Sequence, residues 1–94
     1  MELQALQGLM HSVYGDRDAA RGTDATFRWF TEEIGELARA IRKSDQTNLA
    51  HEFGDVLAWL ASLANLVGVD LEDAVARYED GCPRCGRTPC DCPF

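Results

Sequence analysis

Glu32-Glu33-Ile34-Gly35-Glu36 and Glu52-Phe53-Gly54-Asp55 are two acidic words set inside apolar sequence. Glu33 and Glu36, like Glu52 and Asp55, stand three residues apart, a spacing that brings two side chains to one face of a helix. The flanks have helical periodicity. From Asp24 to Lys43 the apolar residues Phe27, Phe30, Ile34, Leu37, Ala38 and Ile41 gather on one side, and from Thr47 to Val67 the residues Leu49, Phe53, Val56, Leu60 and Val67 do the same. Lys43-Ser44-Asp45-Gln46 is a short polar joint between them. Two long helices with so short a connection form an antiparallel hairpin.

At about 100° per residue, Glu33 and Glu36 lie roughly 80° and 140° round from the centre of the first apolar side. Glu52 and Asp55 have the same offsets from the second. If the apolar sides face each other, equal offsets point to the same edge of the hairpin. Counting outward from the turn, Glu36 is level with Glu52 and Glu33 with Asp55. Four carboxylates so gathered cannot all stay ionised without a cation, because buried charges are paired or bind metals. Hard oxygen donors select a hard divalent ion, and magnesium with phosphate oxygens is the corresponding chemistry. Glu32 shares the exposed stripe of Arg28 and Arg39 and is expected on the solvated face.

The chain has 94 residues, enough for one small domain, and 46% of them are hydrophobic. Its formal net charge of -7 argues against a nucleic-acid backbone or an anionic membrane as partner. No apolar run reaches membrane-spanning length, and no basic-then-apolar leader opens the sequence. The expected location is cytoplasmic. A first helix is expected from about Glu2 to Tyr14, on the stripe Leu3, Leu6, Leu9, Met10 and Val13, with Gly15-Asp16-Arg17-Asp18 breaking it. Thr23 or Asp24 would cap the second helix, Gly68 would end the third, and Asp70 would cap a short fourth that runs from Leu71 to about Glu79. No segment alternates like a strand, so the fold class is all-α, a four-helix bundle-like domain over residues 1–80 with a Cys-rich tail over 81–94. The third helix is apolar on more faces than one partner covers. Leu57, Ala58, Ala61, Leu63 and Ala64 spread around it, and a homodimer or higher homo-oligomer would complete its burial.

These residues carry a resemblance. Glu32-Glu33, Glu36 after two residues, fifteen intervening residues, then Glu52 and Asp55 reproduce an ordered acidic motif. The words from Glu33 to Leu37, from Glu52 to Val56 and from Ala64 to Leu71 match its flanks. Between about Phe27 and Tyr78 the chain resembles the MazG-like members of the all-α nucleoside triphosphate pyrophosphohydrolases. The resemblance implies hydrolysis of a (deoxy)nucleoside triphosphate to the monophosphate and pyrophosphate, as nucleotide-pool house-cleaning. It implies Glu33, Glu36, Glu52 and Asp55 as magnesium ligands and, with Glu32, as the catalytic set, Glu32 orienting or deprotonating the attacking water. A di-iron carboxylate bundle is the other metal reading. It calls for Glu-x-x-His pairs, and here His51 precedes Glu52 instead of following it by three.

Trp29 and Trp59 fall one turn from the acidic residues at similar levels, either as a pair that sandwiches a nucleobase or as bundle or dimer core. The resemblance implies Asn65 as a base reader, and it is equally readable as a helix contact. Arg17, Arg21, Lys43 and Arg77 are candidates for neutralising phosphate, each also readable as a surface charge, and His11 reads as structural. All four cysteines lie in the tail, as Cys82-Pro-Arg-Cys85-Gly and Cys90-Asp-Cys92. The first has the form of a zinc-knuckle turn, and four thiolates satisfy tetrahedral zinc. One chain can close such a site, and two chains could share it; disulfides or a redox-sensitive tail are the alternatives. Beside the enzyme stands a second functional class, a non-catalytic helical interaction module with a zinc-stapled tail. A pseudo-enzyme would be expected to have lost one of the central acids, and all are present.

Overall fold

The structure, a computed structural model, describes residues 1–93; Phe94, the last residue of the tail, lies outside the described residues. Helix α1 spans Leu3–Arg21, α2 Thr23–Lys43, α3 Gln46–Val67 and α4 Leu71–Val75, followed by one 3-10 turn over Ala76–Tyr78. No strand occurs among the described residues. The chain is therefore all-α, as its periodicity implies. Helices α2 and α3 form the main antiparallel pair, α1 lies across α3, and α4 returns to α1. Among the described residues, no single helix is long and apolar enough to cross a membrane.

The joints follow local chemistry. Asp45 caps α3 by accepting from the Asn48 amide, and Ser44 before it takes a left-handed conformation at φ 56° that closes α2. Gly68, at φ 74°, ends α3, where a residue without a Cβ enters the left-handed region at no cost. Asp70 then caps α4 by accepting from the amides of Glu72 and Asp73. Helix α4 is shorter than expected and tightens into the 3-10 turn at Ala76.

Two boundaries differ from the sequence expectation. Helix α1 does not break at Gly15; it continues to Arg21. Glycine in a helix interior costs about 1 kcal/mol against alanine, a penalty the rest of a long helix absorbs. Here it also makes room, because a Cβ at Gly15 would stand 3.1 Å from the His11 ring. Helix α2 starts at Thr23 with neither Thr23 nor Asp24 as its cap. Gly22, at φ 88°, turns the chain, and its N–H closes α1 onto the Asp18 carbonyl.

The third difference concerns the packing side of α2. Its fully buried residues are Thr26 and Ala40, with half-buried Glu33 and Leu37 on the same stripe. Phe27, Ile34 and Ile41, expected against α3, are instead about half exposed. The helix is rotated by roughly 70° from the side its largest residues mark, which carries Glu33 into the seam with α3. On α3 the small residues Ala61, Ser62 and Ala64 are buried, while Phe53 remains 56% exposed and Leu57 and Val67 are also exposed. Small side chains let the helices approach closely, and an apolar face built on Phe27, Ile34, Ile41, Phe53, Leu57 and Val67 is left outside. The radius of gyration is 15.6 Å, against about 12 Å for a compact chain of this length. The surface is 6994 Å², against about 5400 Å² for a compact monomer of this mass.

Candidate active site

The α2–α3 seam brings three of the four predicted ligands together. One carboxylate oxygen each from Glu33, Glu36 and Glu52 lie within 4.8 Å of one another. Glu52 is buried, and Glu33 and Glu36 are half-buried. Their acceptors have no donors to satisfy them: Glu33 Oε2 and Glu52 Oε2 are both buried without a hydrogen-bond partner. A buried carboxylate oxygen is expected to be paired, and an orphan is costly. Burial pushes the Glu33 carboxyl up to about 7, with Glu36 and then Asp55 adding repulsion. Burial likewise raises Glu52, again reinforced by Glu36 and Asp55 and opposed by His51. Three convergent oxygens, two of them orphaned, fit a hard divalent cation, which would supply the missing partner to each.

Asp55 stands beside this convergence. Its Oδ2 lies 3.3 Å from His51 Nε2 across one helical turn, and it also lines the neighbouring cavity. Glu32 is outside the cluster and exposed, sharing a shallow recess with Ala25, Arg28 and Trp29.

The neighbouring cavity measures about 390 Å³. Asp55, Ala58, Trp59 and Ser62 of α3 form one wall, Trp29 of α2 another, and Met10, Tyr14, Arg17, Asp18 and Arg21 of α1 the third. Its volume is in the range of small-ligand pockets. Trp29 and Trp59 stack on each other, with centroids 6.0 Å apart and planes 14° from parallel. Together they make one aromatic surface, and no base-sized gap separates them. The Arg21 guanidinium lies 4.9 Å from the Trp59 ring centroid. Its Nη1 also donates to Asp18 Oδ1 at 3.0 Å and Thr26 Oγ1 at 3.2 Å. Asp18 is nearly fully buried, and this pair holds Arg21 in place.

Sequence reasoning did not single out Met10, Tyr14, Asp18 and Ser62 as cavity residues. For α1 the signal was present: positions 10, 14, 17, 18 and 21 repeat at helical spacing, once Gly15 is read through. Three proposed substrate contacts lie away from the cavity. Asn65 has both ends of its amide engaged, Oδ1 by Gln7 Nε2 at 3.0 Å and Nδ2 by the Gln7 carbonyl at 2.9 Å. Lys43 is exposed at the end of α2, and the Arg77 guanidinium rests 5.6 Å from the Tyr78 ring centroid.

In the tail, ligand atoms from Cys82, Cys85, Cys90 and Cys92 also lie within 4.8 Å of one another, a group able to hold a metal. All four are free cysteines.

No curated protein is matched by this sequence. A family model does match, that of the MazG nucleotide pyrophosphohydrolase domain, over residues 21–83. That span runs from the guanidinium beside Trp59, through both acidic helices and α4, to the first turn of the tail. The helical architecture and the paired carboxylates are thereby accounted for together: the chain belongs to the MazG nucleotide pyrophosphohydrolase family.

Proposed function

We propose that the protein hydrolyses a (deoxy)nucleoside triphosphate between the α- and β-phosphorus, giving the monophosphate and pyrophosphate, in a magnesium-dependent reaction that cleans the nucleotide pool. The observation that carries this reading is the pair of buried, unpartnered oxygens on Glu33 and Glu52. A protein that only docked a partner through its helices would have no use for such a cost. Glu33, Glu36 and Glu52 would hold the ion, with Asp55 as the fourth acid at the cavity edge. Magnesium, when bound, supplies positive charge that masks the triphosphate from an acidic chain and acidifies nearby water.

The chain's own groups do the rest. The stacked Trp29–Trp59 surface gives a nucleobase one broad face to lie on. Arg21, fixed by Asp18 and Thr26, and Arg17 on the same wall present the cationic groups of the cavity to phosphate. Asp55 spans the two regions, since it lines the cavity and faces the cluster. Water attacks the α-phosphorus, the bond to the bridging oxygen breaks, and the electron pair leaves with pyrophosphate. The family resemblance gives Glu32 the role of orienting that water or taking its proton; it stands exposed beside Trp29, next to the cluster in sequence and outside it in space.

The exposed apolar face is covered by a second copy of the chain. The surface exceeds that of a compact monomer by about 1600 Å², divided between this face and the open tail. The protein acts in the cytoplasm, on free nucleotides, with neither nucleic-acid polymer nor membrane as partner. The test is to incubate it with magnesium and a panel of ribo- and deoxynucleoside triphosphates and to follow the products by phosphorus NMR. Monophosphate with pyrophosphate is the expected pair; orthophosphate as the first product would overturn the cleavage position.

A further inference from the structure

The tail from Gly81 onward is a second metal problem, separate from the carboxylates. It has no helix and no buried apolar residue among those described, so apolar packing does not hold its shape. What closes it is the backbone around the sulfurs. The Cys82 amide donates to the Arg87 carbonyl at 3.0 Å, and the Gly86 amide donates back to the Cys82 carbonyl at 2.7 Å. Gly86 takes φ 74°, and Gly81 takes φ 110° with its missing Cβ facing Thr88 Oγ1 at 2.7 Å. Gly81 therefore requires glycine and Gly86 favours it, and together they fold the chain so that the two cysteine pairs meet.

The sulfurs meet at metal-site spacing. Four tetrahedral Zn–S bonds of about 2.3 Å place the sulfurs about 3.8 Å apart along each edge. Cys82 Sγ and Cys92 Sγ are 3.7 Å apart, and all four sulfurs fall within 4.8 Å. A disulfide needs about 2.05 Å. Backbone amides also point at the sulfurs: Asp91 N–H donates to Cys85 Sγ at 3.3 Å and Cys92 N–H to Cys90 Sγ at 3.4 Å. Donors aimed at sulfur favour the thiolate, the form that binds metal.

We propose that Cys82, Cys85, Cys90 and Cys92 form a closed structural zinc site within one chain. Four protein sulfurs fill a tetrahedral ion, so no position remains for water or substrate, and the ion staples the tail without entering the reaction. Binding is a plain exchange: each remaining thiol proton leaves to solvent as its sulfur bonds to the metal, and no oxidant or reductant takes part. Soft sulfur in the tail and hard oxygen between the helices then sort two divalent metals onto one small chain.

The test is metal binding by the full-length, reduced protein, with cobalt and zinc as probes. Anaerobic cobalt titration is expected to give intense thiolate-to-metal charge-transfer bands and tetrahedral d–d bands that saturate at one cobalt per chain and vanish when zinc is added. Excess magnesium should leave them unchanged. Cys85→Ser and Cys90→Ser should each weaken cobalt binding at least tenfold, with the helical circular dichroism as a check on folding. In the zinc form the four thiols should resist a thiol reagent until a chelator is added. Saturation at one metal per two chains would overturn the single-chain site. Thiols released only by a reductant would mean disulfides, and cobalt spectra without charge transfer would remove the site altogether. Nucleotide hydrolysis is no part of the readout, so this result stands or falls independently of the proposed reaction.

Discussion

Gln7 ties three elements together. Its Nε2 donates to Asn65 Oδ1 at 3.0 Å and to the Val69 carbonyl at 2.8 Å, and its Oε1 accepts from the Leu71 amide at 2.7 Å. The side chain is buried in α1, yet its partners belong to α3, the turn after Gly68 and the start of α4. In Gln7→Ala all three bonds are lost, at about 1 kcal/mol each. Val69 is exposed, so water replaces part of that loss, and the net cost is about 2–3 kcal/mol. For a domain of this size each kcal/mol moves the melting midpoint by about 4–8 °C, so the variant should melt about 10–20 °C lower. Gln7→Glu keeps the acceptor for Leu71 but faces two oxygens with a carboxylate. It should be at least as destabilised at neutral pH and recover in acid, when one oxygen regains a proton to donate. Melting followed by far-ultraviolet circular dichroism reads both. The same network makes Asn65 a structural residue, so Asn65→Ala should lower the melting point and leave the ranking of bases in a nucleotide panel as it was. A Gln7→Ala midpoint within about 3 °C of the parent, or an Asn65→Ala protein of normal stability with an altered base ranking, would refute the reasoning.

Magnesium at ten times its dissociation constant should stabilise the folded protein by about 1.4 kcal/mol, a rise of about 6–11 °C; Glu52→Gln should lose that rise while melting higher than the parent without metal, since a repelling charge is gone. Between pH 4.5 and about 7 the folded protein retains a proton on Glu33 that the unfolded chain has lost. The metal-free midpoint should therefore fall as pH rises through that window, and magnesium affinity should fall as pH drops through it; a flat metal-free profile would contradict the raised carboxyl. Phe53→Asp, placed on the exposed apolar face and away from the carboxylate seam, should convert a dimer into a monomer in light scattering, and an unchanged mass would remove that face from the interface.

Much of the site was legible because it depends on spacing along one helix pair. Glu33, Glu36 and Glu52 share one edge of the hairpin, although α2 is turned from the side its bulky residues mark and Asp55, expected with them, lies outside the converging oxygens; Gly68 and Asp70 punctuate the chain as glycine and aspartate do by local chemistry. What could not be read was which side of α2 turns inward. The sequence marks the bulky stripe of Phe27, Ile34 and Ile41, but Thr26 and Ala40 are the residues that pack, since close approach to α3 favours small side chains. A hydrophobic stripe marks a face for burial and does not name the partner that covers it. The cavity wall from Arg17 to Arg21 was obscured by a different cause. Gly15 looks like a stop when its cost is judged locally, although a helix of 19 residues carries it.

The most direct measurement is hydrolysis in water enriched in oxygen-18, with magnesium and a nucleotide the protein turns over. Attack on the α-phosphorus predicts the heavy oxygen in the monophosphate and none in the pyrophosphate, with the signal lost in Glu52→Gln at equal folded protein. Label in the pyrophosphate, or unchanged turnover by Glu52→Gln, would contradict the account.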